Sequence, residues 1–148
     1  MTPTRRPTLF LLPTLGWKEF VRFPKLGLGP IVAKIDTGAR TAALHADIIE
    51  VSGKRVRFVI IEGGHKRHYR AALVGHKRVK SSNGISELRP VIRATLQLGA
   101  HQFKAEITLT DRADMEVPML LGRNSIKGLF VVNPAKTFML SRKKRIAS

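Results

Sequence analysis

Ile31-Val32-Ala33-Lys34-Ile35-Asp36-Thr37-Gly38-Ala39 is the stretch on which the reading of this chain turns. Ile31 to Ile35 has the apolar, β-branched character of a buried strand, and it runs straight into Asp-Thr-Gly. A second apolar run downstream, Met119-Leu120-Leu121-Gly122-Arg123-Asn124, also ends in glycine. Asp, Thr and Gly all favour turns, so one reading of Asp36 is simply a cap on the turn after a strand. The order of the two elements is what asks for more.

Outward from this strand, the sequence is a series of short strands separated by Gly, Pro and Asn. Trp17 to Phe23 alternates, with Trp17, Phe20 or Val21, and Phe23 facing inward. Pro24 to Pro30 is a Gly-rich turn. Further strands are predicted over Thr41 to Val51, Val56 to Ile61, Tyr69 to Val79, Arg89 to Leu98, Phe103 to Leu109, Pro118 to Leu121, Phe130 to Val132 and Thr137 to Leu140. Glu62-Gly63-Gly64-His65 and Ser82-Asn83-Gly84 carry hairpin-turn chemistry. Asn124 to Gly128 predicts one helical turn, ended by Gly128. No long amphipathic helix is present, so the expected fold is all-β and barrel-like, with one short C-terminal helix. A length of 148 residues suits one domain. The expected organisation is a flexible N-terminal arm over 1–15, a folded domain over 16–141, and a basic tail over 142–148.

The chain carries 27 Lys and Arg against 10 Asp and Glu, a net charge of +17. Such an excess attracts polyanions: nucleic acid, an acidic membrane surface or an acidic polypeptide. The hydrophobic fraction, 43%, is enough for a core. There is no cysteine, which excludes disulfides and thiolate metal sites. His65 and His68 have basic neighbours that repel a cation, and His45 reads as a core or substrate-facing residue. There is no His-Glu-x-x-His, and no Gly-rich loop ends in Gly-Lys-Ser or Gly-Lys-Thr. No metal and no cofactor is therefore expected. No run reaches membrane-spanning length. The apolar run from Thr8 to Leu12 is too short for a signal peptide and is broken by Pro13. The expectation is a cytoplasmic protein with no membrane partner.

Asp36-Thr37-Gly38-Ala39 and Leu120-Leu121-Gly122-Arg123-Asn124 resemble the active-site loop and the apolar-apolar-Gly element of retroviral-type aspartic proteases. More closely, Gly16 to Leu140 resembles the bacterial and archaeal retropepsin-like family that carries the label ATP-dependent zinc protease. The matching pieces are Ile35-Asp36-Thr37-Gly38-Ala39-Arg40-Thr41, Ala43-Leu44-His45-Ala46, Lys80-Ser81-Ser82-Asn83-Gly84, Glu87-Leu88-Arg89-Pro90-Val91, Asp111-Arg112-Ala113-Asp114-Met115 and Pro118-Met119-Leu120-Leu121-Gly122-Arg123. The resemblance implies an acid-protease barrel with Asp36 as catalytic carboxylate. Thr37 would brace the paired loops, and Gly38 would let backbone approach closely. The Lys80 to Glu87 hairpin would be a flap, with Lys80, Ser81, Ser82, Asn83 and Gly84 meeting substrate. Leu120, Leu121, Gly122 and Arg123 would support the loop. Retroviral enzymes carry an acid two positions after the Gly, where this chain has Arg40, so the usual partner of Arg123 is missing. Arg40 instead places a positive charge beside the cleft, suited to a glutamate side chain. Some family members are encoded beside a ligase that adds glutamates to the C-terminus of a ribosomal protein. The implied substrate is such a glutamate-rich tail.

Acid-protease chemistry needs two carboxylates that share one proton and hold one water between them. Here there is one Asp-Thr-Gly and no Asp-Ser-Gly, and the other aspartates, Asp47, Asp111 and Asp114, stand in no such setting. The second carboxylate would have to come from a second copy, in a two-fold homodimer. The rival expectation is a non-catalytic basic module that binds RNA or the ribosome on a protease-like scaffold. Against it, aromatic residues for base stacking are scarce: one Trp, one Tyr and seven Phe.

Overall fold

The computed structural model describes residues 12–80, 83–111 and 115–141. Residues 1–11 of the expected arm, Ser81 and Ser82, Arg112 to Asp114, and the tail from Arg142 lie outside the described residues, whereas Thr14 and Leu15, also counted in the arm, stand in a strand paired with Val131 and Val132.

Among the described residues, eleven strands and one short helix follow in order: β1 (Thr14–Gly16), β2 (Lys18–Phe23), β3 (Leu28–Asp36), β4 (Ala42–His45), β5 (Ile48–Ser52), β6 (Arg55–Glu62), β7 (His65–Lys80), β8 (Ser86–Leu98), β9 (His101–Thr110), β10 (Met119–Gly122), α1 (Arg123–Ile126) and β11 (Val131–Asn133). The main sheet runs β2-β3-β10-β4-β9-β8 and closes into a six-stranded barrel where Arg22 of β2 meets Gln97 of β8. From β8 it continues outward through β7, β6 and β5. The predicted all-β barrel with one helical turn is the architecture observed.

Period-2 alternation fills the barrel. Val21 and Phe23 of β2, Ile31, Ala33 and Ile35 of β3, Leu96 and Leu98 of β8, Ile107 and Leu109 of β9, and Met119 and Leu121 of β10 are all buried in one cluster. On β2 the inward apolar residues are therefore Val21 and Phe23, while Phe20, and Trp17 just before the strand, stay half-buried. Phe20 stacks on Phe138 with ring centroids 4.5 Å apart.

Two predicted strands come out differently. Thr41 to Val51 is two strands, because the chain changes ladders between them. The Ala46 amide donates to Thr110 O in the barrel (2.9 Å), and the next amide, Asp47, donates to Val59 O in the outer hairpin layer (2.8 Å). Thr137 to Leu140 is no strand. The Phe138 amide donates to Lys18 O at 2.8 Å, and the amides that follow it are claimed by a side chain that the alternation of β2 turns inward, Glu19, which is 0% exposed. The Glu19 carboxylate accepts the amides of Gly16 (2.7 Å), Met139 (2.9 Å), Leu140 (3.3 Å) and Ser141 (3.1 Å), and also the Ser141 hydroxyl. Ser141 Oγ in turn accepts the Phe20 amide at 2.7 Å.

In the outer layer, Phe58 faces Tyr69 across β6 and β7, with ring centroids 5.7 Å apart. The Tyr69 hydroxyl donates to the Glu62 carboxylate. Burial, and then this bond to a carboxylate, push the phenol above its ordinary value of 10.0. The folded state thus holds the proton more tightly than the unfolded chain. Its contribution is full below the unfolded value and is lost as pH rises toward the folded one.

Two outcomes are expected. Glu19→Ala should cost about 3 kcal/mol or more, since several buried donors lose their acceptor. Glu50→Ala, which removes an ion pair whose side chains are more than half exposed, should cost under about 1 kcal/mol. Equal denaturation midpoints for the two variants would contradict the Glu19 assignment. Tyr69 is the only tyrosine, so an ultraviolet titration reads it alone. Tyrosinate should stay absent to about pH 11 while the chain is folded, and appear near pH 10 in denaturant.

Candidate active site

The strand that carries Asp36 is paired in parallel with β10, in the register Ala33 to Met119, Lys34 to Leu120, Ile35 to Leu121 and Asp36 to Gly122. Ala33, Ile35, Met119 and Leu121 point into the core, so Lys34, Asp36 and Leu120 emerge on the opposite face. An apolar strand thereby delivers a half-buried carboxylate to the floor of a cleft. Past Asp36 the chain turns on itself. The Gly38 amide donates to Asp36 Oδ1 at 3.1 Å, and the Ala39 amide to Asp36 O at 3.1 Å.

The Leu-Leu-Gly element locks that turn from beneath. A Cβ on Gly122 would stand 2.4 Å from Thr41 O and 2.7 Å from Thr41 N and C, so only glycine lets these backbones touch. Immediately afterwards the Arg123 amide donates to Ala39 O (2.8 Å) and the Asn124 amide to Arg40 O (3.0 Å). The Arg123 guanidinium donates through Nη1 to Thr37 O (3.3 Å) and Gly38 O (3.1 Å). These carbonyls are the partners of Arg123 in this chain, and no acid is needed.

The cleft has a volume of about 620 Å³. Lys34, Asp36, Ala43 and Leu120 form its floor, Arg40 and Thr41 one side, Lys77 to Lys80 and Arg89 the other, with Met115 to Val117 at the rim. Six cations (Lys34, Arg40, Lys77, Arg78, Lys80 and Arg89) face two acids, Asp36 and Glu116. Asp36, Gly38, Arg40, Lys80 and Leu120 thus meet in one cleft, as the sequence reading grouped them. Thr37 is exposed beside it. The hairpin over the cleft closes by pairing Lys80 with Ser86 and Val79 with Glu87. Its tip is shaped by Gly84 at φ 88 and by the Ile85 amide donating to Asn83 Oδ1. Ser81 and Ser82 are outside the described residues.

Sequence reasoning missed Arg89 as a cleft residue. It is paired with Glu87 at 3.0 Å, and Thr110 Oγ1 donates to both oxygens of that carboxylate at 2.9 and 3.1 Å. The Glu-x-Arg spacing within a strand was the available signal, since it puts both side chains on one face. A larger hollow of about 720 Å³ lies against β5 to β7, lined in part by Lys25, Arg57, His68 and Arg70. Its single acid, Glu50, is already paired with Arg57, so size alone does not make it the reactive site. Among the described residues no three His, Asp or Glu side chains gather as a metal site. No helix among them is long and apolar enough to cross a membrane.

A six-stranded mixed barrel, an Asp-Thr-Gly turn at the end of one strand and a Leu-Leu-Gly strand in parallel beside it define a retropepsin-like domain. The chain belongs to the RimB-like family, described as retropepsin-like aspartic endopeptidase RimB, whose model matches residues 14–143. It is 37% identical over 137 residues to a Shewanella pealeana protein named "Probable alpha-L-glutamate ligase", covering 87% of this chain and 30% of that protein. A Parasynechococcus marenigrum protein of the same name is 34% identical over 134 residues, covering 85% of this chain and 29% of its own length. The chain thus spans under a third of these curated relatives. The crystal structure of a Legionella pneumophila protein of unknown function (DUF785) is similar with a TM-score of 0.73 at 30% identity, over 87% of this chain and 98% of that one.

Gly122→Ala should cost about 1–3 kcal/mol through enforced backbone shifts and should displace the amide resonances of Asp36 to Arg40. Gly75→Ala, where an added Cβ meets nothing within 4 Å, should leave those resonances in place. An unperturbed loop in Gly122→Ala would show that the contact does not set its geometry.

Proposed function

We propose that this protein is a homodimeric aspartic peptidase in which Asp36 carboxylates from two copies activate one water, and that it acts on acidic, glutamate-rich C-terminal tails such as those added to a ribosomal protein. The observation that carries this reading is Asp36 on the floor of a cleft with six cations in its lining. In the proposed chemistry, one carboxylate takes a proton from the water as its oxygen bonds to the peptide carbonyl carbon. The other, protonated, donates to the carbonyl oxygen. Collapse of the tetrahedral species breaks the C–N bond, and the amine leaves with a proton. The two acids titrate as a pair. The exposed Thr37 is available to a partner loop. Arg40, with Lys80 at the flap base and Asn83 and Gly84 at the flap tip, would meet the substrate. The glutamate ligase name of the relatives supports glutamate as the shared chemistry.

The test is mass spectrometry of glutamate-extended and neutral peptides after incubation with wild type and Asp36→Asn. Wild type should shorten the glutamate-extended peptide. Asp36→Asn should lower that rate at least about 100-fold while keeping the thermal midpoint. X-ray scattering of wild type under the same conditions should report a dimer. Full cleavage by Asp36→Asn, or cleavage by a strict monomer, would refute the proposal. No cleavage by either form, together with RNA binding by both, would favour the basic binding module.

A further inference from the structure

Among the described residues, Arg89 is the one cation of the cleft that is buried. Its side chain is 6% exposed, whereas Lys34 is half-buried and Arg40, Lys77, Arg78 and Lys80 are exposed. Placing a guanidinium there is costly unless something compensates it. Glu87 compensates it on one side only: Nε donates to Glu87 Oε1 at 3.0 Å. Thr110 fixes that carboxylate from beyond, so the pair is held from the β9 side. Neither Nη1 nor Nη2 of Arg89 has a hydrogen-bond partner among the described residues. Yet no buried side-chain nitrogen or oxygen among them is left without a partner. The two Nη atoms must therefore touch solvent, and the solvent-filled space that Arg89 lines is the cleft of Asp36. Strand geometry agrees. Arg89 pairs with Lys77 and Glu87 with Val79, so the four share one face, and Lys77, Val79 and Arg89 line the cleft.

A guanidinium oriented through Nε, with its Nη end open, presents two parallel N–H groups in the fork that matches a carboxylate. Surface lysines attract any anion from many directions. This group is fixed, partly desolvated and directional, which strengthens a matched carboxylate and penalises a neutral isostere. We infer that Arg89, oriented by Glu87 and Thr110, forms a carboxylate subsite in the wall of the Asp36 cleft and selects glutamate over glutamine at one substrate position. The inference rests on the peptidase reading for what occupies the cleft.

The test measures binding, so that turnover does not enter. On the Asp36→Asn background, fluorescence anisotropy would follow a fluorescein-labelled oligoglutamate peptide and its oligoglutamine counterpart. Arg89→Lys keeps the charge but removes the fork. It should weaken oligoglutamate at least about tenfold and leave oligoglutamine within about twofold. Should Arg89→Lys fail to fold by thermal denaturation, the double variant Glu87→Gln/Arg89→Met decides. It removes both charges together and leaves neither partner buried alone, and it should show the same selective loss. Unchanged oligoglutamate affinity, or equal losses on both peptides, would overturn the subsite. Arg89-dependent oligoglutamate binding in a protein whose wild-type form cleaves no peptide would keep the subsite and remove the peptidase reading. Cleavage of glutamate peptides unaffected by Arg89→Lys would do the reverse.

Discussion

Where a side chain on Gly122 would stand, the backbone of Thr41 already passes. That contact lets β10 lie in parallel register with β3 up to Asp36 itself, and it brings the start of α1 under the turn. Three backbone or guanidinium donors from Arg123 and Asn124 then reach the carbonyls of Thr37, Gly38, Ala39 and Arg40. Those carbonyls would otherwise need water. The Asp36 turn is thus held by its main chain, independently of the side chains it presents. Thr37 and Arg40 are left exposed.

Much of this was legible because it follows from local rules. The Ile31 to Ile35 run was read as a buried strand and is one, the one-turn helix lies where a glycine-ended segment predicted it, and the strands around Gly63-Gly64 and Gly84 pair as hairpins. The split of Thr41 to Val51 was not legible. Alternation records which face a residue takes and is silent on which ladder its amide joins. Ala46 and Asp47 look continuous in sequence and bond to different strands, β9 and β6. The last predicted strand failed for another reason. Its pattern suited β structure, but an inward Glu19 offers several amides one charged acceptor, and a charge-assisted bond outcompetes a neutral ladder.

The site divides in the same way. Asp36, Gly38, Arg40 and Leu120 were found from motif order, and the structure brings them together. Arg123 was recognised, but its partners are main-chain carbonyls, which no residue identity announces. In the sequence Arg89 stands out only as part of the Glu87 to Val91 motif. What distinguishes it is burial with one side satisfied, a property of packing that composition cannot express. Against a net charge of +17, one more arginine carries no signal until its environment is known.

The clasp around Glu19 also bears on how the chain acquires its shape during synthesis. Glu19 and Ser141 are separated by 122 positions, so one of the earliest strands waits on one of the last described residues for its charge to be enclosed. Until that segment emerges from the ribosome, a carboxylate short of most of its donors faces what will become the interior. The barrel cannot close around it at low cost. Long-range closure of this kind slows folding and leaves strand edges exposed for longer. The nascent protein therefore completes its core only after residues 139–141 are made, and a copy cut short before residue 139 would hold that carboxylate by the Gly16 amide without the donors of Met139, Leu140 and Ser141.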